Sequence, residues 1–62
     1  MISKLVQKGN KIEIYDENGR ISGIRYTEGK VVGRTAQAFA IQEDDRILLC
    51  DAKGHLIYTK LV

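Results

Sequence analysis

Short runs rich in Ile, Val, Leu, Tyr and Thr alternate along this chain with clusters of Gly, Asn and Asp. No stretch sustains the i, i+3, i+4, i+7 apolar spacing of a capped helix. Such short β-branched runs, bounded by turn residues, are the signature of strands on a pleated, half-buried surface. The pattern predicts six strands, at roughly 2–8, 11–16, 20–28, 30–42, 46–51 and 55–61, the fourth being long and bent at Gly33. Helix competes only over Ala36–Ile41, because alanine favours it. Strict alternation decides for a strand there: Thr35, Gln37, Phe39 and Ile41 fall on one side, Ala36, Ala38 and Ala40 on the other. The alanine row predicts close approach of another backbone layer.

Proline is absent, so glycine supplies the punctuation. Asp16-Glu17-Asn18-Gly19 places Asp at the first position of a type I turn and Gly where a left-handed residue is needed. Asp51-Ala52-Lys53-Gly54 repeats that chemistry, and Lys8-Gly9-Asn10, Glu28-Gly29 and Glu43-Asp44-Asp45 are further turn signals. All of these join sequence neighbours, which predicts an all-β antiparallel meander.

The two Asp-x-x-Gly turns lie 35 residues apart, and the correspondence extends outward. Val6-Gln7 aligns with Ile41-Gln42, Lys11-Ile12 with Arg46-Ile47, Ile14 with Leu49, Ile21 with Leu56, and Arg25 with Lys60. Two explanations fit: a duplicated three-stranded unit, covering 1–28 and 36–62 of a single 62-residue domain, or convergence of any such meander on the same turn grammar. Either predicts a small sandwich of two three-stranded sheets or a closed six-stranded barrel. The run Ile14-Tyr15-Asp16-Glu17-Asn18-Gly19-Arg20-Ile21 resembles one unit of the YD repeats of bacterial shell toxins. Those proteins use many tandem copies, and the second copy here has Cys50-Asp51 in place of Tyr-Asp. The resemblance implies hairpin chemistry and no activity.

A type I turn with a glycine bulge sets the faces. Opposite Asp16 comes Arg20, then Ser22 opposite Ile14 and Ile24 opposite Ile12. One face then collects Ile12, Ile14, Ile24 and Tyr26, and the other Glu13, Tyr15, Ile21 and Arg25. In the C-terminal hairpin the same register gives Ile47, Leu49, Ile57 and Leu61 on one face and Leu48, Cys50, Leu56 and Tyr58 on the other. Both faces are apolar, so the hairpin must be covered twice, by the rest of the chain or by another one. Each such side chain buried contributes about 1.5–3 kcal/mol, a large amount for a small domain.

Size sharpens this. A chain of 62 residues is near the lower limit for an unaided core. One cysteine, Cys50, cannot form an internal disulfide, and with the single histidine, His55, it makes a poor structural zinc set. Oligomerisation is the remaining staple, and a dimer through Leu48, Cys50, Leu56 and Tyr58 is the expectation. With 44% apolar and 29% charged residues the chain reads as globular and not disordered. No apolar run approaches the roughly 20 residues of a membrane span, and no signal peptide is expected at the N-terminus. The lone thiol points to the cytosol.

Catalytic chemistry is not visible. His55 follows a turn glycine, where a polar residue is expected anyway, and Cys50 sits in an apolar strand as an inert thiol. No phosphate-binding glycine loop is present, and Asp16-x-Asn18-Gly19 lacks the remaining ligands of a calcium loop. No metal, cofactor or enzymatic activity is expected. Two functions remain. The first is a self-associating protein-interaction module that binds a larger protein partner and offers a strand edge. The second is a nucleic-acid-binding barrel using Lys11, Tyr15, Arg20, Arg25, Lys30 and Arg34, since aromatic and basic groups on a curved sheet suit single strands. A net charge of +2 neither demands nor excludes that partner.

Overall fold

The structure is a computed structural model and describes residues 1–61. The chain is all-β, with seven antiparallel strands: β1 (Lys4–Lys8), β2 (Lys11–Tyr15), β3 (Ile21–Tyr26), β4 (Lys30–Arg34), β5 (Ala38–Glu43), β6 (Arg46–Asp51) and β7 (Leu56–Leu61). They form a three-stranded sheet in the order β1-β2-β3 and a four-stranded sheet in the order β4-β5-β6-β7. The meander is therefore as expected, but the strand count is seven, and the sheets do not close into a barrel. The extra strand comes from residues 30–42, which fold as a hairpin. Thr35 makes the turn: its hydroxyl accepts from the N–H groups of Gln37 and Ala38, and its own N–H donates 2.7 Å to the Ala38 carbonyl. Alternation alone could not show this, because a threonine that turns the chain also fits the alternating pattern.

Both Asp-x-x-Gly turns are built alike. Asp16 Oδ1 accepts from the N–H of Asn18 and of Arg20, at 2.9 and 3.0 Å. Asp51 Oδ1 accepts from Lys53 and His55, both at 2.9 Å. Gly19 and Gly54 take the left-handed conformation, at φ 79° and 87°, which L side chains resist.

After each turn the register slips by one residue. Tyr15 pairs with Ile21, but Ile14 pairs with Gly23, so Ser22 is bulged out. Cys50 pairs with Leu56, but Leu49 pairs with Tyr58, so Ile57 is bulged out. A one-residue slip sends every later side chain to the opposite face. Ile24 and Tyr26 are consequently not core residues: they join Glu13 and Tyr15 on the solvent side, 43% and 68% exposed. Arg25 moves the other way, opposite Ile12. In the second hairpin Leu61 joins the side of Leu48 and Cys50, and Tyr58 joins Ile47 and Leu49. The pairings of β1-β2-β3 recur in β5-β6-β7 with a constant offset of 35 residues, bulge included. Strand β4 lies between the two matching units.

The sheets share one core of Ile2, Ile12, Ile14, Phe39, Ile41, Leu48 and Cys50, flanked by Leu5, Val31 and Ala52. Polar contacts fix how they stack. Gln7 on β1 donates 2.8 Å to the Gly29 carbonyl beside β4. Ser22 on β3 donates 2.9 Å to the Ala52 carbonyl in the β6–β7 turn. A Cβ on Gly23 would collide with the backbone of Lys53, so this close approach requires glycine. Thr27 is buried between the sheets, its hydroxyl on the Glu43 carboxylate. With β1 near β4 and β3 near the β6–β7 turn, the smaller sheet stops short of β7.

Candidate interaction surface

β7 is exposed along its whole length. Leu56, Ile57, Tyr58 and Leu61 are 47%, 53%, 55% and 71% accessible. It is also an edge strand, bonded only to β6, so one row of backbone donors and acceptors faces outward. Continuous with it is the outer face of the larger sheet, where Ile47 and Leu49 are partly covered and Ala38 and Ala40 lie beside them. A shallow hollow there is lined by Ala38, Ala40, Leu49 and Gly33. The alanine row thus leaves an open, low surface and not the tight backbone layer expected of it.

The outer face of the smaller sheet is different in kind. Glu13 is nearly buried there, with Lys8 Nζ and Lys11 Nζ each 3.6 Å from its carboxylate and the Tyr15 hydroxyl donating to it at 3.3 Å. Lys4 Nζ stands 4.9 Å above the Tyr15 ring, a cation–π geometry. Burial pushes the Glu13 carboxyl up, but the Lys8 charge, the Tyr15 hydroxyl and the Lys11 charge outweigh it and leave the pKa below the usual range. Ile21, Ile24 and Tyr26 lie exposed beside these charges, so the face is mixed. No family model, curated protein or solved structure matches the chain.

The four residues expected at a dimer interface separate into two pairs. Leu48 and Cys50 are core residues, 5% and 0% exposed, and are not available to a partner while the chain is folded. Leu56 and Tyr58 are exposed, on opposite sides of β7. Ile47 and Leu49, grouped by the sequence with Ile57 and Leu61, instead face outward together with Tyr58. The signal was present, since a hairpin apolar on both faces cannot hide both. The bulge at Ile57 moved only the β7 side chains after it; which side of β6 meets the core is decided by packing against the smaller sheet, which the hairpin's own residues do not show.

The six residues proposed for nucleic acid are dispersed. Lys11 and Tyr15 share the outer face of the small sheet, with Glu13 between them. Arg20 is in a turn. Arg25 faces the larger sheet, its Nη1 donating 3.4 Å to the Gly54 carbonyl and its Nε buried. Lys30 and Arg34 sit at the two ends of β4, and Arg34 reaches back to the Ile2 carbonyl at 3.5 Å. They do not form one strip.

A hollow of about 410 Å³ is open and lined by Met1, Ala36, Gln37, Asp51, Ala52, Lys53 and His55. His55 Nδ1 lies 3.8 Å from Asp51 Oδ2, but the lining contains no serine, threonine or cysteine to activate. Cys50 is next in sequence yet buried, and burial raises its thiol pKa, opposite to what a nucleophile needs. Among the described residues no three His, Cys, Asp or Glu side chains gather to hold a metal. No helix long and apolar enough to cross a membrane is present among them.

Proposed function

We propose that this chain is a non-enzymatic protein-interaction module that self-associates and presents the assembled sheet to a larger protein partner in the cytosol. The observation that carries it is β7: six consecutive exposed residues, four of them apolar, on an unpaired edge of the larger sheet. Natural edge strands are usually blunted by charges, proline or a covering element. β7 has only Lys60, and nothing else among the described residues covers it. An apolar edge continuous with an apolar face is the form that strand addition and sheet packing both use.

Light scattering and sedimentation on the purified chain, from micromolar to near-millimolar concentration, test this. A species of twice the chain mass, populated with rising concentration, is expected. A folded monomer throughout, combined with salt-sensitive capture of a mixed oligonucleotide pool, would replace it with a nucleic-acid-binding role.

A further inference from the structure

The two matched turns share one geometry but differ in their surroundings and in one residue. Gly54 is buried: a Cβ there would stand 3.2 Å from the Ile24 carbonyl oxygen and 3.3 Å from the Ile14 side chain. The residue before it is Lys53. Gly19, its counterpart, has open space around the missing Cβ, and residues 17–20 are all exposed. The residue before it is Asn18. An asparagine followed by glycine is a reactive pair. The glycine nitrogen, together with the asparagine carbonyl carbon, Cα, Cβ and Cγ, can close a five-membered ring, and a residue with no Cβ leaves that nitrogen open to approach. Asparagine is accordingly among the thermolabile residues that heat-adapted proteins shed.

We propose that the Asn18–Gly19 bond is a site of spontaneous self-modification, gated by the Asp16 turn. The Gly19 nitrogen, having lost its proton to hydroxide, attacks Asn18 Cγ. The new N–C bond closes a succinimide ring, and the side-chain nitrogen leaves as ammonia. Water then opens the ring at either carbonyl. One opening leaves an aspartyl residue; the other leaves an isoaspartyl residue, in which the chain runs through the former side chain. One water enters and one ammonia leaves, and the net charge falls by one from +2. The closed turn holds this reaction back. The Gly19 N–H donates 3.0 Å to the Asp16 carbonyl, and the Asn18 and Arg20 N–H groups both hold Asp16 Oδ1. The nitrogen is released when the turn opens, a local event that breaks a few exposed hydrogen bonds and disturbs no core side chain. The Gly54 turn is packed against the smaller sheet and carries a lysine, which has no amide to cyclise. The isoaspartyl product adds a methylene to the backbone inside the turn. The bonds from the Arg20 N–H to Asp16 Oδ1, from the Gly19 N–H to the Asp16 carbonyl and from the Asp16 N–H to the Arg20 carbonyl all span that link. So does the pairing of Tyr15 with Ile21 beside the bulge at Ser22. The modified hairpin thus loses the register that holds Ile12 and Ile14 in the core. This modification goes beyond the interaction role and does not depend on it.

The chain holds one other asparagine, Asn10, which precedes Lys11 and serves as the internal reference. The whole folded chain is incubated in mildly alkaline buffer at body temperature. Peptides from timed samples are weighed by mass spectrometry and probed with an isoaspartyl methyltransferase. Asn18 should convert tenfold or more faster than Asn10, with the isoaspartyl product in excess. Asp16→Ala and, independently, denaturing urea should each speed the conversion several-fold. Asn18→Lys, which copies the other turn, should be inert at this position and melt as the native chain does. The isoaspartyl form, separated by ion exchange, should melt below both the native and the aspartyl forms. Conversion of Asn18 no faster than that of Asn10 in the folded chain overturns the site. A rate unchanged in urea overturns gating by the turn, and an isoaspartyl form that melts with the native chain overturns the loss of register.

Discussion

Asp16 and Asp51 do the same task in the same way, and their chemistry predicts a pH response. The Arg20 N–H chiefly, and the Asn18 N–H less, hold the Asp16 carboxyl below its ordinary pKa against a smaller opposing push from burial. For Asp51 the His55 N–H leads, with Lys53 behind it and burial again opposing. Glu13 is lowered too. A carboxyl whose folded pKa is depressed stabilises the fold fully above its unfolded pKa and loses that contribution as pH falls through the folded value. Thermal stability should hold through neutral pH and decline below about pH 4, and Asp16→Ala or Asp51→Ala should make the decline shallower in a melting series. At neutral pH each substitution removes one acceptor from two backbone donors and should cost about 0.5–1.5 kcal/mol in urea unfolding. Asp44 offers the opposite lever. It is the single non-glycine residue with positive φ among those described, at 53°, and its counterpart 35 residues earlier is Gly9, at φ 60°. Asp44→Gly should therefore raise stability by about 0.5–1 kcal/mol, read as a higher melting temperature.

At the level of the elements, the bulges at Ser22 and Ile57 decide which side of β3 and of β7 meets the core. Gly23 follows the first bulge and lies against Lys53, so Gly23→Ala must push the sheets apart and should cost about 1–3 kcal/mol in denaturant unfolding. Gly33, in β4, has open space around its missing Cβ, so Gly33→Ala should be near neutral in the same assay. Since losing glycine's extra backbone freedom favours the fold by itself, a similar loss in both variants would mean that the contact with Lys53 is not what sets the cost at Gly23. The strands themselves were legible: β1, β2, β3, β6 and β7 each lie inside a predicted run, and β4 and β5 share the predicted fourth run, β5 passing its end by one residue, because β-branched alternation and Asp-x-x-Gly turns are local signals. What escaped was the break at Thr35, where a side chain that bonds backbone reads as one more polar position, and the slip after each turn, which depends on how two strands fit together.

For the whole molecule, one small core joins a three-stranded and a four-stranded sheet, and the mismatch in strand number leaves β7 overhanging. Ile41 is fully buried at the centre of that core. Ile41→Ala should cost about 2–5 kcal/mol, comparable with the entire stability expected of a domain this size, and should leave the chain largely unfolded by circular dichroism. If dimerisation supplies part of the missing stability, the native melting temperature should rise with protein concentration, and that rise should vanish in Leu49→Lys.

Local composition by itself determined the all-β class, the meander and the two matched turns, since each rests on short-range sterics and on which residue types are present. It also determined that a C-terminal hairpin apolar on both faces would leave something uncovered. Only the tertiary structure decided which something. Leu48 and Cys50 went inward and Ile47, Leu49 and β7 stayed out, because register bulges and the stacking of unequal sheets are settled by the fit between distant segments, which no single stretch of residues encodes.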